Sequence, residues 1–180
     1  MQFRLKAFTL IELLVVVAII GILAAVGVVA YNGYTKAAKK NVTKSNHKLV
    51  VKYAAAELAM CQLGEEYIME EQFGTGVKNP YRLKCEKRTW AIQHSNTGVK
   101  GGYATRAITQ AFIDLKNPYG GGWPAVISRA GIRQLLSVSL LTTSLGYSEV
   151  TDDGTKVTIV TCWDEPCTGT NVMTNTVPIE

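Results

Sequence analysis

An uninterrupted apolar run close to the N-terminus dominates this sequence. Eighteen residues, Leu13 to Ala30, carry no charged side chain, and a basic start with Arg4 and Lys6 precedes them. Because a helix rises about 1.5 Å per residue, about 20 apolar residues span the roughly 30 Å hydrocarbon core of a bilayer. The run therefore predicts a membrane-spanning helix. Glu12 lies at its start, where a carboxylate in lipid requires a favourable partner.

Length and composition limit the remaining possibilities. The chain has 180 residues, which is room for one domain, or for one domain and an additional helix. Apolar residues make up 47% and charged residues 18%, and this excludes a disordered protein, since disorder requires low hydrophobicity and high charge. The net charge of +5 is mildly basic and does not by itself indicate a nucleic-acid partner.

The helical pattern continues beyond the apolar run. No proline occurs between Met1 and Asn79, and apolar residues recur at the spacing of one helix face. These positions are Tyr31, Tyr34, Ala38, Val42, Leu49, Tyr53, Ala56 and Met60. The sequence thus predicts one helix from Phe8 to about Met60, on the order of 80 Å long. Residues 8–30 form its apolar, membrane-spanning first half, and residues 31–60 form its amphipathic continuation.

Residues 61–180 are predicted to form a small α+β head. Ala104 to Leu115 has helical spacing, Lys116 to Pro124 is a glycine-rich loop, and Asn79-Pro80-Tyr81 is a turn signal. Ile132 to Leu141 is ambiguous between helix and strand.

The last forty or so residues are typical of β-structure. The turn Asp152-Asp153-Gly154 joins the first two of three β-rich segments, Tyr147–Thr151, Lys156–Trp163 and Val172–Ile179. A small antiparallel sheet of these strands would cover the amphipathic half of the helix. The predicted fold class is therefore α+β, with the second half of a long N-terminal helix packed on that sheet.

The residues at the start of the apolar run carry a family signature. Ala7-Phe8-Thr9-Leu10-Ile11-Glu12-Leu13 follows a short basic leader and resembles the class III signal of type IV pilins and the related pseudopilins. The resemblance extends from Lys6 to Tyr34. It implies that a prepilin peptidase removes the leader, residues 1–7, by cutting between Ala7 and Phe8, and then methylates the Phe8 amine. Ala7 departs from the usual glycine, and Val29 stands where the family often has proline.

This resemblance implies a structural subunit, a major or minor pilin, that polymerises through its N-terminal helix into a surface filament. Such filaments serve adhesion, motility or DNA uptake. The implied partners are copies of the same chain, the prepilin peptidase, an assembly ATPase with its inner-membrane platform, and membrane lipid before assembly. A type II secretion pseudopilin is the alternative within this architecture. A monomeric membrane-anchored binding protein, or a secreted enzyme or adhesin cut near Ala30, is the alternative of another class.

The same resemblance implies roles for residues of the helix. Cleavage creates an amine at Phe8, one helical turn from Glu12, and in a filament Glu12 would neutralise the Phe8 amine of a neighbouring subunit. A buried pair of this kind fixes register more than it adds stability. Gly21, Gly27 and Gly33 each weaken a helix by about 1 kcal/mol relative to alanine, and they would supply local flexibility or close helix packing.

A stripe of lysines follows the membrane run. Lys36, Lys40, Lys44, Lys48 and Lys52 recur every four residues, and like charges at that spacing repel by roughly 0.2–0.5 kcal/mol per pair. The stripe is a solvated face, or it meets acids of a neighbouring subunit such as Glu65, Glu66, Glu70 and Glu71, or it binds DNA phosphates. The stripe carries more positive charges than the N-terminal Arg4 and Lys6, so the positive-inside rule would place the head in the cytoplasm. The cysteines and the resemblance favour the opposite orientation, with the chain in the inner membrane and the head outside, then in an extracellular filament.

Four cysteines allow three pairings, and the simplest is local, Cys61–Cys85 and Cys162–Cys167. Disulfides indicate an oxidising compartment. A zinc site normally needs paired CxxC motifs, which neither pair has, so no metal is expected. The two histidines, His47 and His94, belong to no recognisable catalytic or nucleotide-binding motif. The sequence predicts neither an enzyme nor a cofactor.

Overall fold

A computed structural model describes residues 8–69, 83–89, 91–93, 100–128 and 145–179. The leader with Ala7, the turn at 79–81, the segment 132–141 and the residues Glu70, Glu71 and His94 lie outside the described residues. The chain divides into two compact units, one ending at Ala38 and the other running from Lys39 to Glu180.

Helix α1 runs from Leu10 to Gln62 and agrees with the predicted helix to within two residues at each end. At its C-terminus the Glu65 amide donates to the Met60 carbonyl and the Gly64 amide donates to the Cys61 carbonyl, both at 3.3 Å. These two bonds form a Schellman motif, which requires a left-handed residue after the helix. Gly64 meets that requirement with φ +95°, so the helix ends there.

The main sheet has four strands in the order β5-β6-β7-β8. The strands are β5 (Val126–Ser128), β6 (Ser148–Asp152), β7 (Lys156–Cys162) and β8 (Val172–Pro178). The pairs β6–β7 and β7–β8 are antiparallel, and they correspond to the three predicted strands. β5 pairs with β6 in parallel, and this addition makes the sheet mixed.

Smaller elements complete the described part of the head. β1 (Tyr67–Ile68) pairs with β2 (Leu83–Lys84), and β3 (Ala91–Gln93) pairs with β4 (Lys100–Gly102), both antiparallel. Helix α2 covers Tyr103–Ala111 and is shorter at its C-terminus than the predicted helix. The α+β fold class, a long N-terminal helix with small sheets, is confirmed.

Helix α2 begins where a carboxylate from the sheet reaches its first turn. Asp152, 3% exposed, accepts hydrogen bonds at Oδ2 from the amides of Gly102 at 2.8 Å and Thr105 at 2.9 Å. Gly102 is the N-cap residue and offers no side chain for this purpose, so Asp152 caps the helix from another element. A Cβ atom at Gly102 would lie 2.1 Å from Asp152 Oδ1, and glycine is therefore required there.

The β6–β7 turn is the predicted one. Asp153 Oδ1 accepts hydrogen bonds from the Thr155 amide at 2.9 Å, the Thr155 hydroxyl at 2.7 Å and the Lys156 amide at 3.0 Å. The bonds to Thr155 and Lys156 lower the pKa of Asp153 to about 2. Gly154 adopts φ +85°, the conformation in which glycine is favoured.

The buried face of α1 is offset from the apolar stripe that the sequence predicts. The buried residues are Thr43, His47, Val50, Ala54 and Leu58, and the three apolar ones join Ile108, Val150 and Ile159 in the core. By contrast Val42, Leu49 and Met60 remain 47%, 49% and 46% exposed. Polar Thr43 and His47 are tolerated inside because both side chains are hydrogen-bonded.

The four cysteines form two disulfides. Cys61 in the last turn of α1 is bonded to Cys85 directly after β2, with Cα atoms 5.4 Å apart. Cys162 at the end of β7 is bonded to Cys167, with Cα atoms 5.2 Å apart, and closes a short loop that contains Trp163 and Asp164. The structure therefore contains the local pairing among the three that the sequence allows.

Candidate functional site

The N-terminus of α1 is closed by a reciprocal pair of side-chain caps. Glu12 Oε2 accepts hydrogen bonds from the Thr9 amide at 2.8 Å and the Thr9 hydroxyl at 2.7 Å, and the Glu12 amide donates to Thr9 Oγ1 at 3.3 Å. This is a capping box, with Thr9 at the N-cap and Glu12 three residues later. Glu12 thus has a role inside its own chain, and one of its carboxylate oxygens is already engaged.

The apolar residues after Glu12 have no packing partner in the part of the chain that the structure describes. α1 contains an 18-residue window with a mean hydropathy of 3.1 and no buried residue, long and apolar enough to cross a membrane. Even Val16 is 44% exposed, and Phe8, the residue after the expected cut, is 72% exposed. Such a surface is stable in lipid or against other apolar helices.

Contacts among the described residues do not require the three glycines of the helix. Gly21, Gly27 and Gly33 all lie inside continuous helix, and a Cβ atom at any of them would meet no atom of residues 8–69 or of the other described ranges within 4 Å. Their absent side chains therefore leave room on the outer surface of the helix. In membranes, small residues of this kind allow another helix to approach closely.

The lysine stripe is divided between two environments. Lys40 forms an ion pair with Asp164, and Lys44 Nζ lies 3.4 Å from the centre of the Trp163 ring. Lys36, Lys48 and Lys52 are exposed. Lys40 and Lys44 thus bind groups within the chain. The other three lysines of the stripe face solvent.

Tyr119 contributes to the same contact between α1 and the loop after β7. Its hydroxyl donates to the Trp163 carbonyl at 3.2 Å, and Lys39 Nζ lies 5.6 Å from its ring centre. Burial, followed by the negative charges of Asp164 and Glu165, raises the pKa of Tyr119. A neutral phenol therefore holds the Cys162–Cys167 loop beside the lysines. Sequence reasoning missed this cluster, whose members lie far apart in the chain.

Replacing Lys44 with glutamine is expected to lower the free energy of unfolding by about 1 kcal/mol, because the cation over the Trp163 ring is lost. Lys48→Gln, one turn along the same helix, is the matched control and should change it by less than about 0.5 kcal/mol. Denaturant unfolding of the detergent-solubilised protein, followed by tryptophan fluorescence, measures both. Equal losses in the two variants would show that the contact with Trp163 adds nothing.

Comparisons with known proteins agree with the N-terminal signature. Residues 4–28 match the family model described as the prokaryotic N-terminal methylation motif. The chain is 38% identical over 74 residues to a type IV major alpha-pilin of Moraxella bovis, covering 41% of this chain and 45% of that protein. It is 46% identical over 63 residues to a fimbrial protein of Pseudomonas aeruginosa, covering 35% of this chain and 39% of the relative.

The chain thus spans less than half the length of these curated relatives. No solved structure matches it significantly. The matched motif includes the expected cleavage position, the capping box and most of the apolar run. The prepilin signal predicted from Ala7 to Leu13 is confirmed, and the N-terminal region of the chain is similar to that of a type IV pilin and a fimbrial protein.

Proposed function

We propose that this chain is a structural subunit of a type IV pilus, made as a prepilin and polymerised through its N-terminal helix. The observation that carries the proposal is the match of residues 4–28 to the methylation motif, at the start of an apolar helix that is buried against none of the described residues. The named relatives, a pilin and a fimbrial protein, support a pilus subunit.

The proposed organisation follows the expected boundaries. Residues 1–7 are a leader, 8–30 the membrane and filament-core helix, 31–60 its continuation, and 61–180 the head. The prepilin peptidase cuts before Phe8 and methylates it. The subunit waits in the inner membrane with its head outside, and a separate ATPase and membrane platform drive assembly, since the sequence contains no recognisable nucleotide-binding motif.

A second surface supports polymerisation. Val42, Leu49 and Met60 are about half exposed on the part of α1 that belongs to the second unit, and Leu63 after the helix is 80% exposed. The steps of seven and eleven between Val42, Leu49 and Met60 keep these three on one side of the helix, and Leu63 follows directly after its end. An apolar row of this kind, outside any membrane span, is stabilised by burial against another subunit.

Mass spectrometry of the protein purified from its native cells tests the proposal. We expect the N-terminal peptide to begin at Phe8 and to carry one added methyl group, and we expect a deletion strain to lack surface filaments. Ala7→Gly restores the usual residue before the cut and should be processed at least as completely. An N-terminus near Ala30, or an intact leader on a monomeric protein, would contradict the proposal. Normal filaments with impaired protein secretion would instead indicate a pseudopilin.

A further inference from the structure

A buried histidine on α1 is linked to three strands of the head through uncharged groups. The His47 side chain is 1% exposed, and both of its ring nitrogens are hydrogen-bonded. Nε2 lies 2.7 Å from Asn175 Oδ1 on β8, and Nδ1 lies 2.8 Å from Thr161 Oγ1 on β7. Thr161 Oγ1 in turn lies 2.7 Å from Ser148 Oγ on β6. One ring on α1 thus reaches three neighbouring strands.

The direction of these bonds follows from the donors and acceptors. An amide oxygen only accepts, so His47 Nε2 carries a proton and donates to Asn175. In the neutral ring Nδ1 accepts from the Thr161 hydroxyl, and the Ser148 hydroxyl then donates to Thr161. If Nδ1 is protonated, it donates to Thr161, and the two hydroxyls reverse. Both states keep the ring bonded, but only the protonated state places a charge inside the head.

Nothing in the described surroundings compensates that charge. The ring is hydrogen-bonded to Thr161 on β7 and Asn175 on β8, and Thr161 is bonded in turn to Ser148 on β6; none of the three is charged. β8 has no charged residue, and Glu149 alternates with Ser148 and so lies on the opposite face of the sheet. Asp152 shares the face of Ser148, but it lies four residues, or about 13 Å, further along β6 and accepts hydrogen bonds from the amides of Gly102 and Thr105. On α1 the adjacent charges are Lys44 and Lys48, of the same sign, while the carboxylate of Asp164 is paired with Lys40.

We propose that His47 makes the contact between α1 and the sheet sensitive to pH, firm when the ring is neutral and weakened when it is protonated. Burial lowers the pKa of His47 below its ordinary 6.5, although the bond to Asn175 opposes this. The unfolded chain therefore binds a proton as pH falls through about 6.5, whereas the folded chain resists it. Stability contributed by the neutral ring is present above that pH and declines below it. An acidic environment would selectively loosen the head of the subunit.

NMR titration of the ring, in the full-length mature protein in detergent micelles, tests whether the folded chain resists protonation of His47. His94→Gln leaves His47 as the single histidine, since the chain has 2, and makes its signals unambiguous. We expect a titration midpoint below that of a histidine in the unfolded chain. A midpoint at or above 6.5 would overturn the proposal.

Denaturant unfolding at pH 7.5 and pH 5 tests whether this resistance makes the stability of the head depend on pH. When the pH is lowered from 7.5 to 5, the unfolding constant of the wild type and of His94→Gln should rise by up to about 30-fold more than that of His47→Gln. About 30-fold is the limit reached when the His47 ring is protonated only in the unfolded chain. Equal pH dependence in wild type and His47→Gln would also overturn the proposal. If His47→Gln fails to fold, the ring titration and the pH dependence of His94→Gln decide the question.

Discussion

Replacing Glu12 with glutamine is expected to abolish filaments while leaving the start of α1 intact. Glutamine at this position can still close the capping box with Thr9, because its side-chain oxygen accepts the same bonds. Only the negative charge is lost. If that charge neutralises the Phe8 amine of a neighbouring subunit, the amine is left buried and unpaired at a cost of about 3–5 kcal/mol. Since 1.4 kcal/mol is about tenfold, the assembled fraction should fall by at least about a hundredfold.

The matched control for this prediction is Thr9→Ala. It removes the capping box at a cost of about 1 kcal/mol but keeps the Glu12 carboxylate. Filament yield measured by shearing and electron microscopy should be close to normal in this variant. The opposite pattern, with filaments in Glu12→Gln and none in Thr9→Ala, would mean that Glu12 acts only by starting the helix.

Removing the Asp152 carboxylate is expected to produce a large loss of head stability. Asp152→Ala leaves the amides of Gly102 and Thr105 without their acceptor in a buried site, and each such group costs about 1–3 kcal/mol. We expect the free energy of unfolding to fall by about 3 kcal/mol. Denaturant unfolding of the mature protein in detergent measures it.

Two further variants separate the cap from other effects at this site. Asp152→Asn keeps an oxygen that can accept both bonds, so its loss should be clearly smaller than that of Asp152→Ala. Gly102→Ala keeps the carboxylate but brings a methyl group within 2.1 Å of it, so it should also destabilise the head. Equal stability of wild type and Asp152→Ala would show that the capping bonds are replaced by water.

Long, repetitive patterns explain what could be predicted from the sequence. α1 has 53 residues with no internal proline, so its ends were placed to within two residues. The β6–β7 turn carries Asp-Gly, whose local chemistry is strong. β5 was missed because three residues are too few to show a period, and its pairing partner β6 begins twenty residues later.

The buried face of α1 could not be predicted, for a physical reason. Polar Thr43 and His47 are acceptable in the core only because of partners such as Thr161, which is 114 residues from His47 in sequence. The ion pair of Lys40 with Asp164 likewise joins residues 124 positions apart. The capping box is a local pattern, Thr9-Leu10-Ile11-Glu12, that sequence reasoning missed because Glu12 was interpreted only through its role in assembly.

The Cys61–Cys85 bond has a mechanical consequence for a subunit that is held by its N-terminal helix. Cys61 lies in the last turn of α1, and Cys85 directly follows β2. Tension applied along the helix would pass into the head through a covalent bond as well as through hydrogen bonds and packing. Residues 62–84 would then be shielded from the pulling force, and rupture would have to begin where the sheet holds the helix.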